Sequence, residues 1–240
     1  MSEGTSTHDP AQPEIHACAG LRRVQARLDE ALRQAGRAAD AARLVAVSKT
    51  VAAERMKELH GCGQRAFGES YVQEALIKQA ALADLPLEWH FIGPIQSNKT
   101  RAIAESFDWV HSVFRLRTAE RLSAQRPAGR PPLNVCIQVN IDREDSKSGA
   151  LPEELAELAH AVAALPALRL RGLMAIPRPS DDPAVQRDSF RRVRELFEQL
   201  RGEGLPLDTL SMGMSDDLEA AVMEGATLVR VGTAIFGARS

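Results

Sequence analysis

The stretch Leu44-Val-Ala-Val-Ser-Lys49 is a short apolar run that ends in a lysine. It is the first of eight short β-type runs in the chain. Amphipathic helix patterns separate consecutive runs. The eight predicted strands are 44–47, 65–68, 87–92, 109–113, 134–140, 168–176, 209–212 and 228–231. The seven predicted helices between them are 52–60, 71–83, 97–106, 118–125, 152–165, 183–202 and 215–224.

Strands that alternate with helices predict an α/β protein with a parallel sheet, and eight of them predict a closed (β/α)8 TIM barrel. Apolar residues at helical spacing also predict an additional N-terminal helix over 13–37, which closes the helical ring or covers one end. A doubly wound open sheet is the competing fold. The turn after the first strand has no glycine-rich dinucleotide fingerprint, which disfavours that alternative.

Length and composition fit one soluble globular domain. The chain has 240 residues, 44% hydrophobic and 26% charged, and a net charge of −2, which offers no basic surface for nucleic acid or anionic membrane. We predict a single barrel domain over 13–240 and a disordered segment over 1–12. No apolar stretch reaches the length of a membrane span.

The cysteines and the N-terminal segment suggest where the protein resides. Cys18, Cys62 and Cys136 are odd in number and widely spaced, with no pattern typical of zinc, so no metal site is predicted. Free cysteines in a reducing compartment are the simplest interpretation. Residues 1–13 are polar and lack a hydrophobic signal core, which favours the cytoplasm.

Lys49 is unusual because the chain prefers arginine: five of its 30 basic residues are lysines. A primary amine can form a Schiff base once burial lowers its pKa, and a guanidinium cannot. A lysine at a strand end can also simply extend into solvent. The barrel prediction decides between these interpretations, because the C-terminal strand ends of a barrel carry its functional residues.

The last two strand ends predict an anion site. Ser215 follows the seventh strand and is predicted to cap the next helix, while Gly232 and Thr233 follow the eighth strand. Glycine lets the backbone approach an anion, helix-start amides and hydroxyls donate to it, and barrels often bind phosphate between these loops. A reactive amine opposite a phosphate site fits a phosphorylated aldehyde such as pyridoxal phosphate.

Four other polar residues are weaker candidates. His90 is predicted to be a hydrogen-bonded interior residue, and His111 lies nearer the active end of its strand. Lys99 and Lys147 lie in polar loops that follow strands on the same face. Solvated loop lysines are the default interpretation, although both could contact an anion or take up an aldehyde in transit.

Six ordered motifs, which run from Arg43 to Arg239, resemble the pyridoxal phosphate homeostasis proteins, single-domain proteins with the alanine racemase N-terminal fold. The motifs are Leu44-Val-Ala-Val-Ser-Lys49-Thr, Trp89-His-Phe-Ile-Gly-Pro-Ile-Gln-Ser-Asn-Lys99, Val139-Asn-Ile with Ser146-Lys-Ser-Gly149, Arg171-Gly-Leu-Met-Ala-Ile176, Ser211-Met-Gly-Met-Ser-Asp216 and Val229-Arg-Val-Gly-Thr-Ala-Ile-Phe-Gly237. The resemblance implies that Lys49 carries the cofactor as a Schiff base. It also implies phosphate contacts from Ser215, Gly232 and Thr233, Arg230 at the pyridine nitrogen, and Met174 in the pocket lining.

Two residues depart from the family pattern. Ser70 stands where the family usually has asparagine, and Phe114 stands where an acidic residue is common. The contacts that the resemblance would assign to these two positions are therefore not carried over.

The expected function is reversible binding of pyridoxal phosphate for its intracellular homeostasis, without substantial turnover and without a catalytic residue. A pyridoxal-phosphate-dependent racemase or lyase of fold type III is the alternative, and a cofactor-free Schiff-base lyase is another. Racemisation needs a second base; the chain ends at Ser240 without the domain that supplies it in racemases, and its sole tyrosine is Tyr71. The expected partners are pyridoxal phosphate and apo-enzymes that use it, and the expected state is a monomer.

Overall fold

A computed structural model describes residues 17–144 and 147–237 of the chain. The strands are β1 Arg43–Val47, β2 Ala66–Glu69, β3 Glu88–Phe91, β4 Trp109–Val113, β5 Leu133–Val139, β6 Leu168–Ala175, β7 Thr209–Ser211 and β8 Leu228–Val231. The helices are α1 Ala17–Gln34, α2 Ala53–Gly61, α3 Val72–Ala81, α4 Thr100–Ser106, α5 Leu116–Gln125, α6 Leu155–Ala163, α7 Pro183–Gly202, α8 Leu218–Met223 and α9 Thr233–Phe236. None of these helices is long and apolar enough to cross a membrane.

The strands form a closed parallel barrel in chain order, and β8 pairs with β1. This confirms the (β/α)8 prediction and excludes the open doubly wound sheet. Each strand begins and ends within one residue of its predicted bounds. The short helix α9 after the last strand was not predicted, and the predicted disorder over 1–12 lies outside the described residues.

The N-terminal helix completes the helical ring around the barrel, as predicted. Helix α9 has four residues, too few to cover the flank of β8, and α1 packs against α8, α9 and α2 in its place. The approach is close at Gly20, where a Cβ atom would collide with the backbone of Ile235. The absence of a side chain at Gly20 therefore lets α1 lie directly against α9.

The barrel has an apolar outer layer and a partly polar interior. Alternate strand residues pack against the helices, and the largest fully buried side chains there include Phe67, Phe91 and Phe107. Burying a side chain of this size stabilises the fold by roughly 1.5–3 kcal/mol. The inward-facing residues include the apolar cluster Val45, Ala66, Trp109, Cys136, Met174 and Leu228 and the buried polar residues His90, His111, Ser211 and Arg230.

The prediction of three free cysteines was wrong for two of them. Cys18 on α1 and Cys62, which follows α2, form a disulfide with a Cα–Cα distance of 6.0 Å, whereas Cys136 is free and buried. The two sulfurs are brought together by the packing of α1 against α2, which the spacing of the cysteines did not reveal. The disulfide also removes the support that free cysteines gave to a reducing compartment.

Reduction of this disulfide is expected to lower the free energy of unfolding by roughly 2–4 kcal/mol, because the bond joins positions 44 residues apart. Urea unfolding with and without dithiothreitol measures the difference. Cys62→Ser should not respond to the reductant, whereas Cys136→Ala should respond like the wild type. An equal response of Cys62→Ser and the wild type would contradict the bond.

Candidate functional site

A cavity of about 820 Å³ opens at the C-terminal ends of β1 and β8 and brings five of the six predicted site residues together. Lys49, Ser215, Arg230, Gly232 and Thr233 all line it. They come from three strand ends that are adjacent in the closed barrel, because β1, β7 and β8 are neighbours. The cavity therefore combines an amine, a guanidinium and two hydroxyl groups.

Met174, the sixth predicted residue, is not among the residues that line this cavity. Its side chain is buried in the barrel interior with Val45, Cys136 and Trp109. The difference lies in the position along the barrel, because Met174 lies within β6, whereas Ile176 follows the C-terminal end of that strand and does line the cavity.

Arg230 is held on the inner side of the barrel by two hydrogen bonds. Its Nη1 donates to Ser211 Oγ at 2.7 Å and its Nη2 donates to the carbonyl of Ala175 at 3.0 Å. Burial lowers the pKa of Arg230 to about 10, although the charge of Asp217 opposes this shift. The group is therefore a fixed cation at neutral pH, with donors and no acceptor.

The loop after β7 does not form the helix cap that was predicted for Ser215. Helix α8 begins at Leu218, so its N-cap position falls on Asp217, whose Oδ1 accepts a hydrogen bond from Met214 N–H at 2.6 Å. Ser215 instead lies on the cavity wall, and its carbonyl accepts a hydrogen bond from Arg27 Nη2 at 3.0 Å. The Ser215 hydroxyl is thus not required for helix capping.

Gly232 allows close contact between the ends of β8 and β1. A Cβ atom at Gly232 would lie 3.1 Å from the carbonyl oxygen of Val47 and 3.3 Å from its Cβ. These distances are short for a carbon atom, so a side chain would require the two strand ends to shift by a few tenths of an ångström. The backbone at Gly232 therefore lies beside the segment that carries Lys49.

Two arginines line the cavity that sequence reasoning did not select. Arg27 on α1 forms a bidentate ion pair with Glu219, with hydrogen bonds of 2.8 and 2.9 Å, in addition to its bond to Ser215. Arg55 on α2 lies over the ring of Phe236 at 5.6 Å. The sequence pattern of α1 and α2 predicts that both arginines face solvent. Their position at the cavity follows from how these helices pack on the barrel, which the sequence pattern does not show.

The backbone on both sides of Lys49 is fixed by a buried lysine. Lys78 on α3 is 5% exposed, and its Nζ donates to the carbonyl of Ser48 at 2.7 Å and to Glu69 Oε1 at 2.8 Å. It also donates to Glu74 Oε1 at 2.5 Å, and that carboxylate accepts a hydrogen bond from Thr50 N–H at 2.6 Å.

This cluster holds an unusual backbone conformation. Thr50 has a φ of 64°, in the left-handed region that a β-branched residue rarely adopts. Burial raises the pKa of Glu69, and the hydrogen bonds from Lys78 and Ser48 limit that rise. Strain of this kind persists only where the surroundings impose it. Lys78 and Glu74 therefore impose the turn that follows β1 and fix where Lys49 leaves the strand.

The remaining candidates divide between the cavity and other places. Ser70 lines the cavity, so one departure from the family pattern falls at the site itself. Phe114, Lys99 and Lys147 are not among the lining residues. His90 and His111 are fully buried in the barrel interior, as predicted for His90. The described residues contain no group of three or more metal-ligating side chains.

Lys78→Met is expected to lower the free energy of unfolding by about 3 kcal/mol, because Glu69 then loses its buried partner. Lys57→Met is the matched control, since Lys57 lies exposed on α2; its effect should stay within about 0.5 kcal/mol. Adding Glu69→Gln to Lys78→Met removes the unpaired acid and should restore part of the loss. Urea unfolding measures all three, and equal effects of the two lysine variants would contradict the stabilising role assigned to Lys78.

The chain matches the family described as alanine racemase, N-terminal domain, over residues 21–240. The pyridoxal phosphate homeostasis protein of Pseudomonas aeruginosa is 64% identical over 219 residues, which covers 91% of this chain and 94% of that one. The Escherichia coli K12 protein of the same name is 53% identical over 222 residues and covers 91% and 95%.

One solved structure shows the same architecture with a ligand. PipY of Synechococcus elongatus PCC7942, with pyridoxal phosphate bound, is 37% identical, with a TM-score of 0.81, over 92% of this chain and 100% of that chain. The chain belongs to the alanine racemase N-terminal domain family and, within it, to the pyridoxal phosphate homeostasis proteins.

Proposed function

We propose that this protein binds pyridoxal phosphate reversibly, holds it as a Schiff base on Lys49 and contributes to its homeostasis without substantial turnover. The observation that carries this proposal is the single cavity in which Lys49, Arg230, Ser215, Gly232 and Thr233 meet. PipY, which has this fold, contains pyridoxal phosphate in its structure. The cofactor supplies an aldehyde that an amine can capture and a phosphate that fixes the far end.

The residues of the cavity offer neutral hydrogen-bond donors for the phosphate of such a ligand. Ser215 and Thr233 offer hydroxyl donors, and the close approach at Gly232 leaves backbone accessible to an anion. Arg27 also lines the cavity. It forms an ion pair with Glu219 and donates a hydrogen bond to the carbonyl of Ser215, so it holds the Ser215 backbone in place. We therefore assign the phosphate to Ser215, Gly232 and Thr233.

Arg230 sets the electronic character that the site gives to a pyridine ring. A guanidinium has only N–H donors, so a ring nitrogen that faces it must accept a hydrogen bond and cannot keep its own proton there. An unprotonated ring withdraws electrons less strongly than a protonated one. This supports binding rather than efficient carbanion chemistry.

No histidine or tyrosine is among the described residues that line the cavity, and the one carboxylate side chain there is that of Asp216. Racemisation needs two positioned groups on opposite faces of the reacting carbon. Tyr71, the sole tyrosine of the chain, is 57% exposed and does not line the cavity. We propose that the protein is a cytoplasmic monomer that passes pyridoxal phosphate to apo-enzymes. We also propose that Met174 supports the cofactor site from within the barrel.

Purified wild-type protein mixed with pyridoxal phosphate is expected to show the absorption band of an imine, and Lys49→Ala should not show it. Borohydride reduction followed by peptide mapping should place the label on Lys49. Lys99→Ala and Lys147→Ala are matched controls and should keep both the band and the label. Labelling of Lys99 or Lys147 in the wild type would contradict the assignment.

Incubation of the loaded protein with a panel of L-amino and D-amino acids distinguishes a binding protein from an enzyme. We expect racemisation and elimination rates far below the usual enzymatic range of about 1–1,000 s⁻¹. Chiral chromatography of the products measures them, with a racemase as the positive control. Turnover within that range would favour the alternative, a racemase or lyase of fold type III.

A further inference from the structure

A row of buried polar side chains crosses the barrel interior from Arg230 to the opposite rim. Arg230 Nη1 donates to Ser211 Oγ at 2.7 Å, and Ser211 Oγ lies 2.7 Å from His111 Nδ1. His111 Nε2 lies 2.9 Å from His90 Nδ1, and His90 Nε2 lies 2.7 Å from Glu88 Oε1. Five residues on β8, β7, β4 and β3 are thus joined by four hydrogen bonds.

The two ends of this row fix the direction of every bond in it. Arg230 can only donate, so Ser211 Oγ accepts from it. Burial opposes ionisation of Glu88, but the hydrogen bonds from His90 and Arg43 and the charge of Arg43 hold its pKa below its ordinary value. Glu88 is therefore an ionised group that can only accept, and His90 must carry its proton on Nε2.

The proton positions in the middle follow from that end. With its proton on Nε2, His90 presents a bare Nδ1, which must accept from the Nε2–H of His111. His111 then presents a bare Nδ1, which accepts the hydroxyl proton of Ser211. Burial lowers the pKa of His90 and takes that of His111 well below its ordinary value, so neither ring gains a second proton near neutral pH.

Packing holds both imidazole rings in the orientation that the row requires. His90 stacks on Trp109 with ring centroids 5.5 Å apart and an interplanar angle of 12°. The ring centroid of His111 lies 5.9 Å from that of the same indole. The guanidinium of Arg171 also lies over this indole, 4.7 Å from its centroid. The charged groups that act on the two histidines are Glu88, Arg43, Asp108 and Arg230.

We propose that Ser211, His111, His90 and Glu88 are positioning residues that hold the Arg230 guanidinium in one orientation toward the cavity. Among the described residues, no carboxylate forms an ion pair with Arg230, so neutral dipoles orient it. Glu88 orders those dipoles from the far rim of the barrel. The part of this inference that concerns the cofactor rests on the proposed function.

The first test uses cofactor-free protein and nitrogen-15 NMR of its histidines and arginines. His90 and His111, assigned through His90→Gln and His111→Gln, should both be neutral Nε2–H tautomers that do not titrate between about pH 5 and 8. Arg230, assigned through Arg230→Lys, should show slowed rotation of its guanidinium, and Ser211→Ala should release it. An Nδ1–H tautomer at either ring, or an Arg230 signal that Ser211→Ala leaves unchanged, would overturn the proposal.

The second test measures the affinity for pyridoxal phosphate and the pH at which the spectrum of the bound cofactor changes. Ser211→Ala should weaken binding about tenfold, because a hydrogen bond to a charged group is lost, and should shift that pH. Ser123→Ala is the matched control, since Ser123 is a buried serine on α5 outside the row. Equal affinities and equal spectra for the two serine variants would overturn the positioning role.

The far end of the row has its own variant pair. Glu88→Met removes the last acceptor, whereas Arg43→Gln removes only the ion pair that Arg43 forms with Glu88 at 3.2 Å. Glu88→Met should shift the histidine tautomers and weaken binding, and Arg43→Gln should do neither. If Glu88→Met and Arg43→Gln give the same tautomers and the same affinity, Glu88 has no part in positioning Arg230. If the wild type binds no pyridoxal phosphate, the proposed function fails and the cofactor-free NMR test still decides the row.

Discussion

The backbone pairing between β8 and β1 is the interaction on which the candidate site depends. It aligns Val45 with Arg230 and Ala46 with Val231, so the two strands end side by side. Without this closure, Lys49 would lie at one edge of an open sheet and Gly232 and Thr233 at the other. The absence of a side chain at Gly232 then determines how closely the two ends can approach, because Val47 fills the space beside it.

The polar interior of the barrel is compatible with a stable fold because its groups satisfy one another. A buried hydroxyl or imidazole without a partner is costly, whereas a fully connected set rigidifies the core. His90, His111 and Ser211 use their hydrogen-bonding atoms within the row, and Ala175 supplies a further acceptor for Arg230. The helix-facing side of the same strands is apolar, so hydrophobic burial and polar order occupy opposite faces of one sheet.

Strand and helix periodicity was enough to predict the barrel, and Lys49 followed from its position at a strand end. Lys78 could not be predicted in this way, because a lysine in an amphipathic helix is usually taken to face solvent. Its burial depends on Glu69 and Glu74 lying around it, which is a tertiary relation. The disulfide between Cys18 and Cys62 and the cavity position of Arg27 were missed for the same reason, since both depend on how α1 packs.

The position of α1 has a consequence for how the protein is made. This helix leaves the ribosome long before its partners α8 and α9, because seven strands lie between α1 and α8 in the chain. Arg27 cannot hold the Ser215 loop, and Gly20 cannot pack on Ile235, until the segments that carry Ser215 and Ile235 have been synthesised. A nascent chain that still lacks α8 and α9 therefore has no complete cavity for a ligand of this site.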